Sequence, residues 1–190
     1  AGAGKDYFVH HMQARGLRVL RVAFADELKS RAAWWLLCQI DGPPINLHDR
    51  DARIAWIDSL KTRPQMRAFL QVYGEVLCAL EGELYWAEIA ARRYREALKR
   101  EEWDAVVITD CRKRAEAQYA RADGFVLVRI VRTDGYQTSG ITPETASHRS
   151  EVEQRAILTD YTLVNDGTDA YGAAIDALIA RLRLAEGVTV

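Results

Sequence analysis

The sequence has few cysteines and no long apolar run. Its three cysteines, Cys38, Cys78 and Cys111, lie far apart among 190 residues, and none forms a CxxC pair. Neither a disulfide framework nor a zinc site is therefore indicated. No apolar run reaches the length of a membrane-spanning helix, and no signal peptide is recognisable. We expect a protein of a reducing, cytoplasmic compartment that does not bind membranes.

The sequence also lacks a strong net charge. Its 26 Lys and Arg residues nearly balance its 27 Asp and Glu residues, and the formal net charge is −1. This balance argues against an overall basic surface for a nucleic-acid polymer, so any phosphate binding must come from a local site. Hydrophobic residues make up 49% and charged residues 28%, as in ordinary globular proteins. The length suits one domain with a full core, with or without a small insertion.

Four short stretches have the composition of strands that are buried on both faces. They are rich in Val, Ile, Leu and Phe and occupy residues 18–25, 104–110, 125–131 and 161–164. Such runs are typical of a parallel sheet covered by helices. Apolar residues recur with helical spacing from Met66 to Leu80 and from Tyr171 to Leu182, and Asp169 is a candidate N-cap for the second helix. The alternation predicts an α/β fold with right-handed crossovers.

Two polar segments interrupt this alternation. One begins at Asp41 and runs to about Pro64, and the other occupies residues 133–147. The second segment is long for a connection inside a compact domain. It lies between two pairs of arginines, Arg129 with Arg132 and Arg149 with Arg155. A mobile lid is one interpretation of it, and a plain surface loop is the other.

The chain opens with AGAGKD, in which Gly4 and Lys5 match the end of the GxxxxGK phosphate loop and Asp6 replaces the usual Ser or Thr. Small residues let backbone N–H groups surround phosphate oxygens, and the lysine reaches the terminal phosphates. A following helix, which residues 6–15 can form, favours anions at its N-terminus. A flexible terminus without function is the alternative. The strand that precedes such a loop is missing, which would leave sheet edges exposed, so we expect further residues upstream of Ala1.

Five segments, in their order along the chain, resemble the deoxynucleoside monophosphate kinases of phages and bacteria, which are distant relatives of adenylate kinase. The resemblance implies a P-loop NTPase three-layer sandwich with a central parallel sheet, a helical NMP-binding insertion and a short lid. It implies a single kinase domain over 1–190, with the NMP-binding helical region at 38–100 and the lid at 133–150. The segments are AGAGKD, AFADELK (23–29), RAFLQVYG (67–74), ITDCRKRAE (108–116), and HRSE (148–151) with DYTLVNDGT (160–168).

The resemblance implies an enzyme that transfers the γ-phosphoryl group of ATP to a (deoxy)nucleoside monophosphate with the help of Mg²⁺. Two alternatives stay open: a P-loop kinase for another small acceptor, such as a dephospho-coenzyme, and a nucleotide-binding regulatory module without turnover. Arg67 and Gln71, one helical turn apart, favour an acceptor that carries a base. The expected partners are small-molecule nucleotides, and a homodimer is left open.

On the donor side, Lys5 and Arg132 are expected to stabilise the phosphoryl group in transit. Asp110 closes a buried strand, where it would hold Mg²⁺ or a magnesium-bound water, with helix capping as the alternative. Asp6 is the second candidate metal ligand. The resemblance assigns ATP binding to two segments near the ends of the chain. Their residues are Gly2, Ala3, Gly4, Lys5, Asp6, Asn165, Gly167 and Thr168.

On the acceptor side, Arg112 would grip the phosphate of the monophosphate through its guanidinium fork. By resemblance, Arg67 contacts the same phosphate and Gln71 hydrogen-bonds the base, because both share one helix face. Solvated surface side chains are the alternative for these residues. The HRSE residues are expected to close the lid or contact the acceptor, or else simply to start a helix. They are His148, Ser150 and Glu151.

Overall fold

Helices and short strands alternate along the chain, as the sequence predicted. The structure, a computed structural model, describes residues 4–41, 44–133 and 156–186, with side chains as far as Leu182. The elements are α1 (Lys5–Ala14), β1 (Val19–Val22), α2 (Phe24–Leu37), α3 (Arg50–Leu60), α4 (Pro64–Glu81), α5 (Tyr85–Arg100), β2 (Ala105–Ile108), α6 (Arg114–Ala122), β3 (Val128–Arg132), β4 (Tyr161–Asn165) and α7 (Asp169–Glu186).

Several sequence predictions lie outside the described residues. They concern almost all of the expected lid and the first residues of the phosphate-loop motif. The residues are Gly2, Ala3, Arg149, Arg155 and the HRSE residues His148, Ser150 and Glu151.

The chain divides into two compact units. The first, here called the strand unit, combines Ala1–Val22 with Tyr94–Val190 and contains all four described strands. The second, the helical unit, is Ala23–Arg93 and contains α2, α3, α4 and the first part of α5.

The four strands form two parallel pairs. β1 pairs with β2, with Val19 opposite Ala105, and β3 pairs with β4, with Val128 opposite Tyr161. All four predicted strands and the mixed α/β class are confirmed. Among the described residues the pairs are separate two-stranded sheets, whereas the sequence predicted one central sheet.

One apolar core lies against both strand pairs. Helices α1 and α7 cover strands of each pair, because side chains from both helices join one buried cluster with residues of β1, β2 and β4. Helix α6 builds a second cluster with residues 127 and 157. The members of the first cluster are Val9, Met12, Val19, Ala105, Leu163, Tyr171, Ile175 and Leu178.

Two boundaries differ from the sequence predictions. The predicted strand at 18–25 ends early, because helix α2 already begins at Phe24; a buried apolar run has the same composition in a helix as in a strand. Asp169 is not the N-cap of α7. Thr168 takes that role, since its Oγ1 accepts the backbone N–H of Ala170 at 3.2 Å.

The helical unit has its own core. Ala33 and Leu37 of α2 meet Ile57 of α3 and Leu70 of α4. Helix α4 confirms the helical periodicity predicted from Met66 onward. Helix α3 lies in the polar segment after Asp41, where residue spacing alone predicted no helix and only the resemblance implied a helical region. Its N-cap is Asp49, which accepts backbone N–H groups of the first turn. No helix within the described ranges has the length and apolar character to cross a membrane.

The burial of Ile175 yields a stability prediction. Ile175 is fully buried between α7 and both strand pairs, so Ile175→Ala should cost about 2–5 kcal/mol of unfolding free energy through lost burial and a cavity. Leu158→Ala in the same unit is the control, because its side chain is 85% exposed and should cost less than about 0.5 kcal/mol. Urea denaturation measures both; equal effects would contradict the assigned core.

Candidate functional site

Helix α1 begins at a glycine in a left-handed conformation. Gly4 is the N-cap, with φ of 104°, and its carbonyl accepts the N–H of Phe8 at 2.9 Å. The N–H groups of a first helical turn point toward the N-terminal end, and no side chain of the N-cap residue caps them here. Such an end attracts anions. The local structure is therefore the kind that a phosphate loop requires, with Lys5 at the first helical position.

Asn165, the last residue of β4, lies directly against Gly4. A Cβ atom at position 4 would overlap Asn165 Nδ2 and would lie 3.1 Å from Tyr171 Cε1. The Tyr171 hydroxyl donates to the Gly4 carbonyl oxygen at 3.1 Å. The start of the GK motif and the start of the NDGT segment, which the sequence assigned separately to nucleotide binding, thus meet in the fold. The sequence predicted Tyr171 only as part of an apolar helix face. A tyrosine on such a face needs a hydrogen-bond partner for its hydroxyl group, and this requirement could have pointed to a contact with another segment.

The NDGT segment after β4 is a tight, internally bonded turn. The Asn165 Oδ1 atom accepts the N–H of Gly167 at 3.1 Å. Asp166 Oδ1 accepts both the N–H of Thr168 at 3.0 Å and its hydroxyl at 2.7 Å. Asn165–Thr168 therefore forms a turn before α7.

Lys5 and Asp6 form a charged pair at the start of α1. Lys5 Nζ lies 2.8 Å from Asp6 Oδ1, and Arg21 Nε lies 4.0 Å from the same oxygen. Burial alone would raise the pKa of Asp6, but the hydrogen bond from Lys5 and the charges of Lys5 and Arg21 outweigh it and lower this pKa below its usual value. The carboxylate is therefore ionised at neutral pH.

The carboxyl ends of both strand pairs face the start of α1. Arg21, near the end of β1, reaches Asp6, while Asn165, at the end of β4, touches Gly4. Arg132 ends β3 opposite Asn165. This is the edge at which α/β proteins bind ligands. We call the five residues there the strand-end cluster: Gly4, Lys5, Asp6, Arg132 and Asn165.

The loop after β2 is held by a buried glutamate. Glu116 is 8% exposed, and its Oε2 accepts the backbone N–H groups of Arg112 at 2.8 Å and Lys113 at 3.0 Å. Lys113 is the N-cap of α6, so the capping alternative for Asp110 is wrong. Asp110 follows β2, which runs parallel to β1, and thus leaves the β1–β2 pair at its carboxyl edge. The sequence assigned no role to Glu116 of the ITDCRKRAE motif. Its position three residues after an N-cap could have indicated that it accepts backbone N–H groups there.

The same loop contains an unreactive cysteine. Burial, with the nearby charges of Glu116 and Asp110, raises the pKa of Cys111 to about 12. Burial also raises the pKa of Glu116, against the opposing effect of its two N–H donors. The Cys111 thiol therefore stays protonated at neutral pH, and a thiolate nucleophile at this position is excluded.

The two acceptor candidates on α4 belong to the helical unit. Arg67 and Gln71 are both exposed. Arg67 Nε donates to the carbonyl oxygen of Lys61 at 2.9 Å, so this arginine also fastens the turn before α4. In the parts of the chain that the structure describes, no group of three or more His, Cys, Asp or Glu side chains is placed to share a metal ion.

The contact between Gly4 and Asn165 can be tested with two alanine variants. Gly16, with φ of 83°, has nothing within 4 Å of a built Cβ, so Gly16→Ala should cost only about 1–2 kcal/mol for the left-handed conformation. Gly4→Ala should cost about 1–3 kcal/mol more, because Asn165 must also move. Chemical denaturation of the two variants gives the difference. Equal losses would show that Asn165 does not press on Gly4.

The sequence profile of the deoxynucleotide monophosphate kinase family matches residues 37–170. The match includes the RAFLQVYG, ITDCRKRAE, HRSE and NDGT segments and begins after AGAGKD and AFADELK. A comparison with individual curated proteins gives no match. Because the profile covers well over half of the sequence, the chain belongs to the deoxynucleotide monophosphate kinase family.

Proposed function

We propose that this protein transfers the γ-phosphoryl group of ATP to a deoxynucleoside monophosphate and releases the diphosphate and ADP. The observation that carries the proposal is the meeting of Gly4 and Asn165 at the carboxyl edge of the strands. It brings the glycine-lysine start of α1 and the NDGT turn to one place. A nucleoside triphosphate would contact the first with its phosphates and the second with its base. The family supports a deoxynucleotide acceptor.

The strand-end cluster would bind the donor. Residues 2–6 would surround the ATP phosphates with backbone N–H groups, and Asn165, Gly167 and Thr168 would support its base. On ATP binding, Lys5 would leave Asp6 and contact phosphate oxygens. Its 2.8 Å ion pair with Asp6 is partly exposed to solvent, so the two side chains can separate. With Arg132 it would neutralise charge that spreads over the γ-phosphoryl oxygens, which is the main protein contribution to such transfers.

Asp6 and Asp110 fit Mg²⁺. Carboxylate oxygens are the ligands that this ion prefers, and it is usually held by one or two of them together with water and substrate phosphates. The lowered pKa of Asp6 keeps its carboxylate available at neutral pH. When bound, the ion would offset the negative charge of the phosphates. Asp110 would be oriented by the loop that Glu116 holds through Arg112 and Lys113.

Arg112 and Arg67 would hold the acceptor phosphate, and Gln71 would hydrogen-bond its base. The HRSE residues His148, Ser150 and Glu151 would contact the acceptor or close the lid over 133–150. Excluding water in this way would protect the phosphoryl group from hydrolysis. The residues from 38 to 100 would form the NMP-binding helical region.

The proposal includes one central sheet of the P-loop three-layer type. Both strand pairs are parallel, and both pack against the same helices, α1 and α7. A further parallel strand, paired with one strand of each, would join them into a single sheet without changing either register.

Lys5→Ala tests the donor site. The variant should lower kcat by roughly 10²–10³, which is about 3–4 kcal/mol of transition-state stabilisation, as for loss of one preorganised donor. Lys99→Ala, at an exposed position in the last turn of α5, is the matched control and should turn over normally. A coupled ADP-release assay with a panel of monophosphates measures both. A Lys5→Ala protein with the turnover of the wild type would contradict the assignment of residues 2–6 as a phosphate loop.

Arg112→Ala and Arg67→Ala test the acceptor side. Each should raise the KM for the monophosphate at least tenfold and leave the KM for ATP within about twofold, because one charge-assisted contact is worth about 1.5–3 kcal/mol. Gln71→Leu should change the preferred base, since an unpaired base edge is costly. If these variants instead raise the KM for ATP, donor and acceptor roles are reversed.

A further inference from the structure

The helical unit contains a buried glutamate that the proposed mechanism does not use. The Glu27 side chain is 3% exposed and lies in the first turn of α2. A carboxylate removed from water in this way must be paired with positive charge or hydrogen-bond donors. Its partners come from two other helices, α3 and α5.

Two arginines meet at one oxygen of this glutamate. Arg50 donates to Glu27 Oε1 from Nη2 at 2.6 Å and from Nε at 3.1 Å. Arg93 Nε lies 2.8 Å from the same oxygen. We call Arg50 and Arg93 the arginine pair. Two guanidinium groups carry one positive charge more than the single carboxylate neutralises, and each has further N–H donors beyond those that reach Glu27.

Two further carboxylates lie near Arg50, and Arg53 brings a third positive charge to the same place. Asp51 lies 3.1 Å from Arg50 Nη1, but its side chain is 89% exposed, where ion pairs contribute little. Asp49 uses its carboxylate to cap α3. The arginine pair is accessible to a ligand, because the Arg93 side chain is 54% exposed and that of Arg50 is 29% exposed.

A third arginine beside the pair has a different task. Arg53 donates to the Ser30 carbonyl and hydroxyl oxygens and to the Leu47 carbonyl oxygen, and its guanidinium group lies over the ring of Trp34. It therefore fastens α3 to α2. Its charge adds to the positive field around Glu27, while its donors are used within the protein.

We propose that the arginine pair binds the phosphate of the acceptor monophosphate and that Glu27 is the residue that positions both guanidinium groups for it. A phosphomonoester dianion matches two guanidinium forks in charge and in hydrogen-bonding geometry. A buried carboxylate that holds both arginines in place lowers the entropy lost on binding. The inference rests on the proposed function and adds Arg50 and Arg93 to its acceptor site.

Binding measurements on the full chain test this proposal without any need for turnover. Calorimetry compares three ligands: the deoxynucleoside monophosphate that the wild-type protein binds best, its nucleoside, and inorganic phosphate. Arg93→Gln should weaken the monophosphate roughly 10- to 100-fold, weaken phosphate as well, and leave nucleoside binding unchanged. Arg95→Gln is the matched control: Arg95 lies two residues along the same helix and pairs with Asp123 at 2.6 Å, so its loss should change none of the three affinities.

A purely structural arginine pair gives a different result. The Arg93→Gln protein would then lose stability yet bind the monophosphate as tightly as the wild type, and that outcome would overturn the proposal. An equal loss of nucleoside affinity would overturn it too. If circular dichroism shows that Arg93→Gln does not fold, Arg93→Lys takes its place, because it retains the charge and loses the fork. A several-fold loss of monophosphate affinity in that variant supports the proposal, and unchanged affinity contradicts it.

Failure of this inference is distinguishable from failure of the proposed function. Suppose that the wild-type protein phosphorylates deoxynucleoside monophosphates and that Arg93→Gln binds the monophosphate unchanged. Then only the proposal for the arginine pair is wrong. A wild-type protein without turnover on any monophosphate removes the proposed kinase reaction, whereas the phosphate titrations still report on the two arginines.

Discussion

The contact between Gly4 and Asn165 is the constraint on which the strand-end cluster depends. It requires a residue without Cβ at the start of α1, and the Tyr171 hydroxyl fixes the carbonyl of that residue from α7. Lys5 and Asp6 follow in the first helical turn, so their positions relative to β4 are set by the same contact. Arg132 joins them because its strand is in register with β4. Open α/β sheets bind their ligands at this edge.

Buried carboxylates organise the remaining polar groups of both units. In the strand unit, Glu116 accepts two backbone N–H groups and so shapes the loop that carries Asp110 and Arg112. In the helical unit, Glu27 draws Arg50 and Arg93 to one oxygen atom. Burying a carboxylate costs free energy, and in both cases hydrogen-bond donors around the carboxylate offset this cost. In each case the acidic side chain orients groups that a phosphate could use, while it remains out of solvent itself.

Much of the fold and part of the site follow from the sequence by simple rules. Apolar runs and helical spacing indicated the four strands, α4 and α7. The phosphate-loop motif indicated α1, and five short segments indicated the family. Residue spacing did not indicate helix α3, because its burial rests mainly on Ile57 amid charged residues; only the resemblance implied a helical region there. The Glu27 cluster was also missed, since pairing between residues 23 and 66 positions apart leaves no local pattern. Charged residues within the first turn of α2 were the only available indication.

The proposed reaction moves a phosphoryl group from ATP to a deoxynucleoside monophosphate. The most direct measurement follows the label from [γ-³²P]ATP in the presence of Mg²⁺ and each common deoxynucleoside or ribonucleoside monophosphate. We expect label in the β-phosphate of a deoxynucleoside diphosphate, in amounts equal to the ADP formed. Label that appears only as inorganic phosphate, or stays in ATP with every monophosphate, would contradict the proposed reaction.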